Sequence, residues 1–223
     1  MTYAEIERKV AESGLSPKQC DELWDALFLT SAEIKELLEY VRTNARLDWL
    51  YPMIVFAAHT GARRSELIRA KAADIDFTGE TVLIWERKKD KSRYTYRRVP
   101  LTKTLKSALE DWLAVRPAGP NLFCHNERSV QSKKKNEPLG GPLTRKEVAD
   151  HFKRTLRAPK WERLKGWHVL RHSFISICAQ TVSPVLLDQW TGHQTEEMRR
   201  RYTHLIPSEE RRAIASVFEA KRQ

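Results

Sequence analysis

Trp167-His168-Val169-Leu170-Arg171-His172-Ser173-Phe174-Ile175-Ser176, followed by Thr191-Gly192-His193 and then by Tyr202-Thr203-His204, is the stretch on which the reading of this chain turns. It gathers His168, Arg171, His172, His193 and Tyr202 within 35 residues. Imidazoles, a guanidinium and a phenol together suit phosphoryl transfer, where negative charge must be neutralised and protons moved. His168 and Arg171 are three apart, so on a helix they share one face. Gly192 closes one apolar segment and His193 opens the next. Thr195 fits an N-cap, with Glu196 and Glu197 in the first turn. Tyr202 then falls about two turns into that helix, a rigid mount for a nucleophile.

Composition narrows the classes of partner. Forty Lys and Arg against 29 Asp and Glu give a formal charge of +11, which suits a polyanion such as nucleic acid. A hydrophobic fraction of 41% is enough to build a core. The longest unbroken apolar run, Met53 to Ala58, is too short to span a bilayer, and Met1 to Lys9 lacks the apolar region of a secretory signal. Cys20, Cys124 and Cys178 are odd in number and have no metal-ligand spacing, the usage of a reduced, cytosolic chain. There is no Walker lysine motif, no GxGxxG, and no carboxylate pair of the two-metal nuclease kind.

Upstream, Thr2-Tyr3-Ala4-Glu5, Ser16-Pro17-Lys18-Gln19, Thr30-Ser31-Ala32-Glu33 and Thr144-Arg145-Lys146-Glu147 are capping boxes that predict four helix starts. Met53 to Ala58 reads as a buried helix that delivers the chain to Thr60-Gly61-Ala62-Arg63-Arg64-Ser65-Glu66-Leu67. Gly61 permits a sharp turn there, and Glu66, one turn after Arg63, can hold its guanidinium. Asp74 to Phe77, Val82 to Trp85 and Tyr94 to Val99 predict three strands, with Pro100 as the stop. From Trp85 to Pro100, seven cations (Arg87, Lys88, Lys89, Lys91, Arg93, Arg97 and Arg98) alternate with Tyr94 and Tyr96, which suits a ribbon lying along phosphates. Leu105, Leu109, Trp112 and Leu113 make one face of a further helix, residues 126–142 read as a flexible basic loop, and Pro207 to Ala220 as a last helix.

In this order the motifs resemble the tyrosine recombinases, the phage integrase family. The carrying elements are T-G-x-R-x-S-E-L at Thr60 to Leu67, the basic hairpin ending in Val99-Pro100-Leu101, H-x-L-R-H-S-F from His168, Gly192-His193, and Tyr202-Thr203-His204. The resemblance implies an α+β, mainly α fold, the recombinase catalytic domain, with a small three-stranded antiparallel sheet. It implies a catalytic domain at residues 28–223, preceded at 1–27 by a short helical extension or the remnant of a core-binding domain. It assigns Arg63, Lys88, His168, Arg171, His193 and Tyr202 to catalysis and Glu66 to their support, with Lys89 and Lys91 as alternatives to Lys88. No metal or other cofactor is implied. The implied partner is double-stranded DNA, with self-association on it, in the cytoplasm at the nucleoid. The implied activity is site-specific recombination through a 3′-phosphotyrosyl intermediate. Relaxation of the type IB topoisomerase kind, or DNA binding without recombination, are the alternatives.

Overall fold

The computed structural model describes residues 1–12, 14–87, 94–126 and 139–192. Lys88, Lys89, Lys91, His193, Tyr202 and the expected last helix lie outside them. Three of the capping boxes form with their reciprocal bonds. Ser16 starts α2 (Pro17–Asp25), Thr30 starts α3 (Ser31–Asn44) and Thr144 starts α7 (Arg145–Thr155). At the fourth, Thr2 and Glu5 exchange bonds of 2.9 and 3.4 Å ahead of α1 (Tyr3–Glu12). In each, a local side chain satisfies backbone N–H groups that the first turn leaves without partners, which is why sequence alone locates them.

The centre of the molecule is α4 (Leu50–Thr60), buried along nearly its whole length and packed on α3, on α6 (Lys103–Val115) and on α8 (His168–Cys178). Pro52 is tolerated because it lies in the first turn, where its missing N–H costs no helical bond. Gly61 ends α4 in the left-handed conformation, φ 62°, and a Cβ there would come within 2.7 Å of the Phe174 ring. Both constraints select glycine. The chain then turns directly into α5 (Arg64–Arg69), with Arg63 as its N-cap residue.

A three-stranded antiparallel sheet follows: β1 (Ile75–Asp76), β2 (Thr81–Arg87) and β3 (Tyr94–Pro100), in the order β1-β2-β3. The register pairs Val82 with Val99 and Ile84 with Arg97. Side chains alternate faces along a strand, so Arg97 shares the inward face of Val99, and Glu86 that of Val82 and Ile84. The ribbon reading is therefore corrected at one position. Arg97 is only 5% exposed and belongs to the interior, while Tyr96 and Trp85 meet on the outer face with their rings tilted and centroids 5.4 Å apart.

A short helix unforeseen in the sequence, α9 (Pro184–Thr191), has its N-terminus capped by Ser183 and ends at Gly192. Residues 1–27 are integrated with the rest of the fold. Ile6 is fully buried in the main core, the Tyr3 ring meets Trp24 edge-on at 5.1 Å, and Phe28 N–H donates to the Met1 carbonyl. Among the described residues no helix is long and apolar enough to cross a membrane.

Ile6→Ala removes a buried side chain from that core. We expect it to lower the unfolding free energy by about 2–4 kcal/mol, as read from urea denaturation. No change in the midpoint would mean that the first helix lies outside the cooperative unit.

Candidate active site

α5 and α8 present their N-terminal ends to a common cavity of about 470 Å³, lined by Arg63, Arg64, Arg145, Lys165, His168, Arg171 and His172, with Trp24 and Leu27 in the wall. The structure thus brings together Arg63, His168 and Arg171 of the expected set. Arg64 lines the same cavity, so both residues of the Arg-Arg pair border the space. Lys88, His193 and Tyr202 fall outside the described residues.

Arg171 is 3% exposed. Its Nη1 donates to the Gly61 carbonyl at 2.6 Å and its Nη2 to the Thr191 carbonyl at 2.8 Å. These bonds tie α8 to the end of α4 and to the last residue of α9. Among the described residues, no carboxylate pairs with it. Burial, and then the Arg63 and Arg97 charges, lower its pKa to about 10. It stays protonated at neutral pH, a buried cation fixed by carbonyl dipoles in the wall of the cavity.

Arg63 has two carboxylates instead. Its Nη1 lies 2.8 Å from Glu66 Oε1 and 3.3 Å from Glu86 Oε1. Glu66 also accepts from the Arg63 backbone N–H at 2.8 Å, which fixes both ends of that residue. The expectation that Glu66 holds the Arg63 guanidinium describes this geometry. What the sequence reading missed is the other half of the cluster. Arg97 Nη2 lies 2.7 Å from Glu66 Oε2, and Arg97 Nη1 lies 2.7 Å from Glu86 Oε1. Arg63, Glu66, Arg97 and Glu86 thereby close a ring of two cations and two anions. Strand periodicity carried the missing signal, because Glu86 and Arg97 sit in phase with inward-facing valines.

Burial alone would raise the Glu66 pKa. The Arg97 charge and hydrogen bond, followed by the Arg63 backbone bond and charge, outweigh it and hold the carboxyl below its ordinary value. Arg63 shows the mirror case. Desolvation works against its charge, and Glu66 and Glu86 more than restore it. Only Nη1 of Arg63 is engaged by these carboxylates.

His168 opens α8 at the cavity mouth, one helical turn before Arg171 and 6.3 Å from the His172 ring. Although its side chain reaches solvent, partial loss of hydration lowers its pKa, and the Arg171, Arg64 and Arg63 charges lower it further. A neutral imidazole beside several guanidinium groups can accept a proton near pH 7. Lys165, which also lines the cavity, donates from Nζ to the Asp21 carbonyl at 2.9 Å and lies 3.3 Å from its carboxylate, which ties α2 to this site.

Known proteins share the sequence pattern and the fold. The phage integrase family model matches residues 27–209. The type 1 fimbriae regulatory protein FimB of Escherichia coli K12 is 28% identical over 169 residues, 75% of this chain and 78% of that protein. Among solved structures, the post-cleavage complex of the XerH site-specific recombinase with palindromic difH substrate aligns with a TM-score of 0.59 at 24% identity, over 86% of this chain and 53% of that one. The Tn1549 transposon integrase in complex with circular intermediate DNA aligns with a TM-score of 0.62 at 20% identity, over 93% and 68%. The catalytic domain of bacteriophage HP1 integrase gives 0.53 at 22%, over 85% and 92%. The chain spans about half the length of the XerH chain.

Folded His168 titrates below its ordinary value of 6.5. As pH falls between those two values, the unfolded chain binds the proton more readily, so this residue's contribution makes the protein less stable toward acid across that window. A proton-exchange-resolved NMR titration of the imidazole should give a midpoint under 6.5. A midpoint above it would mean that the neighbouring guanidinium groups do not govern the ring.

Proposed function

The chain belongs to the phage integrase family, and on that membership we propose that it is a site-specific recombinase that breaks and rejoins double-stranded DNA through a covalent phosphotyrosyl link. The observation that carries the reading is the cavity shared by Arg63, His168 and Arg171. Two guanidinium groups beside a neutral imidazole suit a phosphodiester that passes through a more highly charged, five-coordinate state.

In this mechanism the Tyr202 oxygen attacks the scissile phosphorus while the bond to the 5′-oxygen breaks, leaving a 3′-phosphotyrosyl ester and a free 5′-hydroxyl. A phenol with a pKa of about 10 needs help to attack at neutral pH. His168 takes part in managing its proton. Arg63 and Arg171 hold the non-bridging oxygens, and the buried position of Arg171 strengthens that hold, because little water competes for the charge. His193 hydrogen-bonds the phosphate, and Lys88 delivers the proton to the leaving 5′-oxygen, with Lys89 and Lys91 as alternatives. Glu66 acts through Arg63. Phosphodiester energy is conserved in the tyrosyl ester, so the reverse attack by a 5′-hydroxyl rejoins the strand. A hydroxyl from another duplex makes the event recombination, and the original one makes it relaxation. The reading further includes self-association on DNA, action in the cytoplasm at the nucleoid, and residues 1–27 as a short helical extension or the remnant of a core-binding domain ahead of a catalytic domain at 28–223.

A nicked suicide substrate tests the chemistry, because loss of the short 5′ fragment traps the intermediate. The wild-type chain should yield a denaturation-resistant protein–DNA adduct. Tyr202→Phe should yield none while binding DNA within about threefold of wild type, since only the nucleophilic oxygen is removed. An adduct formed by the variant would move the nucleophile to another tyrosine, and no adduct from either protein would overturn the reading.

A further inference from the structure

Arg97 stands in the most cationic part of the sequence, yet three of its guanidinium nitrogens are consumed inside the protein. Nη2 donates to Glu66 and Nη1 to Glu86, both at 2.7 Å, and Nε donates to the Trp190 carbonyl, also at 2.7 Å. The three acceptors belong to different elements: α5, β2 and the last turn of α9. One planar group therefore fixes the separation of all three. The next carbonyl along α9, that of Thr191, accepts from Arg171 at 2.8 Å. Beyond it, the Gly192 backbone lies so close to Glu86 that a Cβ would sit 2.0 Å from Oε1.

We propose that Arg97 is a positioning residue for strand transfer: it sets Arg63, through Glu66 and Glu86, in one frame with the end of α9 that Arg171 also grips. The proposal rests on the recombinase reading above and adds to it a residue that touches neither phosphate nor nucleophile. Charge compensation alone does not require an arginine. A lysine would also neutralise the two carboxylates, but its single ammonium cannot span three divergent acceptors in fixed directions. The geometry, rather than the charge, is what arginine supplies here. Arg63 and Arg97 converge on both carboxylates, and on the same Oε1 atom of Glu86, so these two residues transmit the setting. Small displacements of a phosphate-holding group have a large effect on rate, about a hundredfold for roughly 1 Å.

The test uses the full chain and the nicked suicide substrate under single-turnover conditions, with DNA saturating. Arg97→Lys retains the positive charge among Glu66 and Glu86. It should slow adduct formation by about 30-fold or more per folded molecule, the folded fraction being taken from a urea titration. The dissociation constant for uncleaved DNA should stay within about threefold, because Arg97 is buried and its nitrogens donate inside the protein. Glu86→Gln, at a partly exposed position, keeps an acceptor oxygen for Arg97 and should slow the same step with the same small effect on binding. A purely structural role would reduce the folded fraction and leave the rate per folded molecule at the wild-type value. That result in either folded variant overturns the proposal. An equal loss of rate and affinity also overturns it, by making Arg97 a DNA contact. Failure of the wild-type chain to form any adduct would instead remove the strand-transfer reading on which the proposal rests.

Discussion

The interior of the site depends on one buried guanidinium held between two carboxylates. Arg97, Glu66 and Glu86 are joined by bonds of 2.7 Å, and both Arg97 and Glu66 are only 5% exposed. Removing charges from water is costly, and the ring is tolerable because each ion meets partners of opposite sign at hydrogen-bonding distance. Losing Arg97 would leave the buried Glu66 carboxylate with Arg63 as its remaining cation, so the ring weakens as a unit. The arrangement therefore constrains what surrounds it. It requires Glu86 to point inward from β2, it requires α9 to end with a carbonyl aimed at Arg97, and it delivers Arg63 to the cavity with Nη1 already occupied.

Arg171 solves a different problem beside the ring. Its partners among the described residues are two carbonyl oxygens, one closing α4 and one closing α9. Carbonyls at helix C-termini carry partial negative charge, enough to seat a cation without cancelling it. The site thus holds two guanidinium groups, Arg63 and Arg97, paired with carboxylates, and a third, Arg171, bonded to carbonyl oxygens. The effect of Arg171 and Arg63 extends to His168, whose pKa is lowered first by lost hydration and then by these charges. In the proposed mechanism the phosphate meets the Arg171 charge, which no described carboxylate cancels, and a pre-set donor at Arg63.

Much of this was legible in the sequence wherever the cause is local. The capping boxes at Ser16, Thr30 and Thr144 predict their helices because side chain and backbone lie within three residues of each other. Gly61 and the Arg63–Glu66 spacing predict a turn and an ion pair for the same reason. Arg97 was not legible as an interior residue, because a run of cations reads as a solvated face and its partners are 11 and 31 residues away. Only the phase shared with Val99 gave a hint. The helix at Pro184–Thr191 escaped because its apolar pattern is short. The packing of Trp24 and Leu27 against the cavity is a long-range contact that no local pattern encodes.

In the proposed mechanism Arg63 stabilises negative charge developing on a DNA phosphate. The most direct test compares Arg63→Ala with wild type on two suicide substrates, one ordinary and one whose scissile phosphate is replaced by a neutral methylphosphonate. On ordinary DNA, losing such a group should cost about 10²–10³ in the rate of adduct formation. On the neutral linkage there is less charge to stabilise, so the account predicts that the deficit shrinks by about tenfold or more. An equal deficit on both substrates would contradict it, because Arg63 would then be acting on something other than phosphate charge.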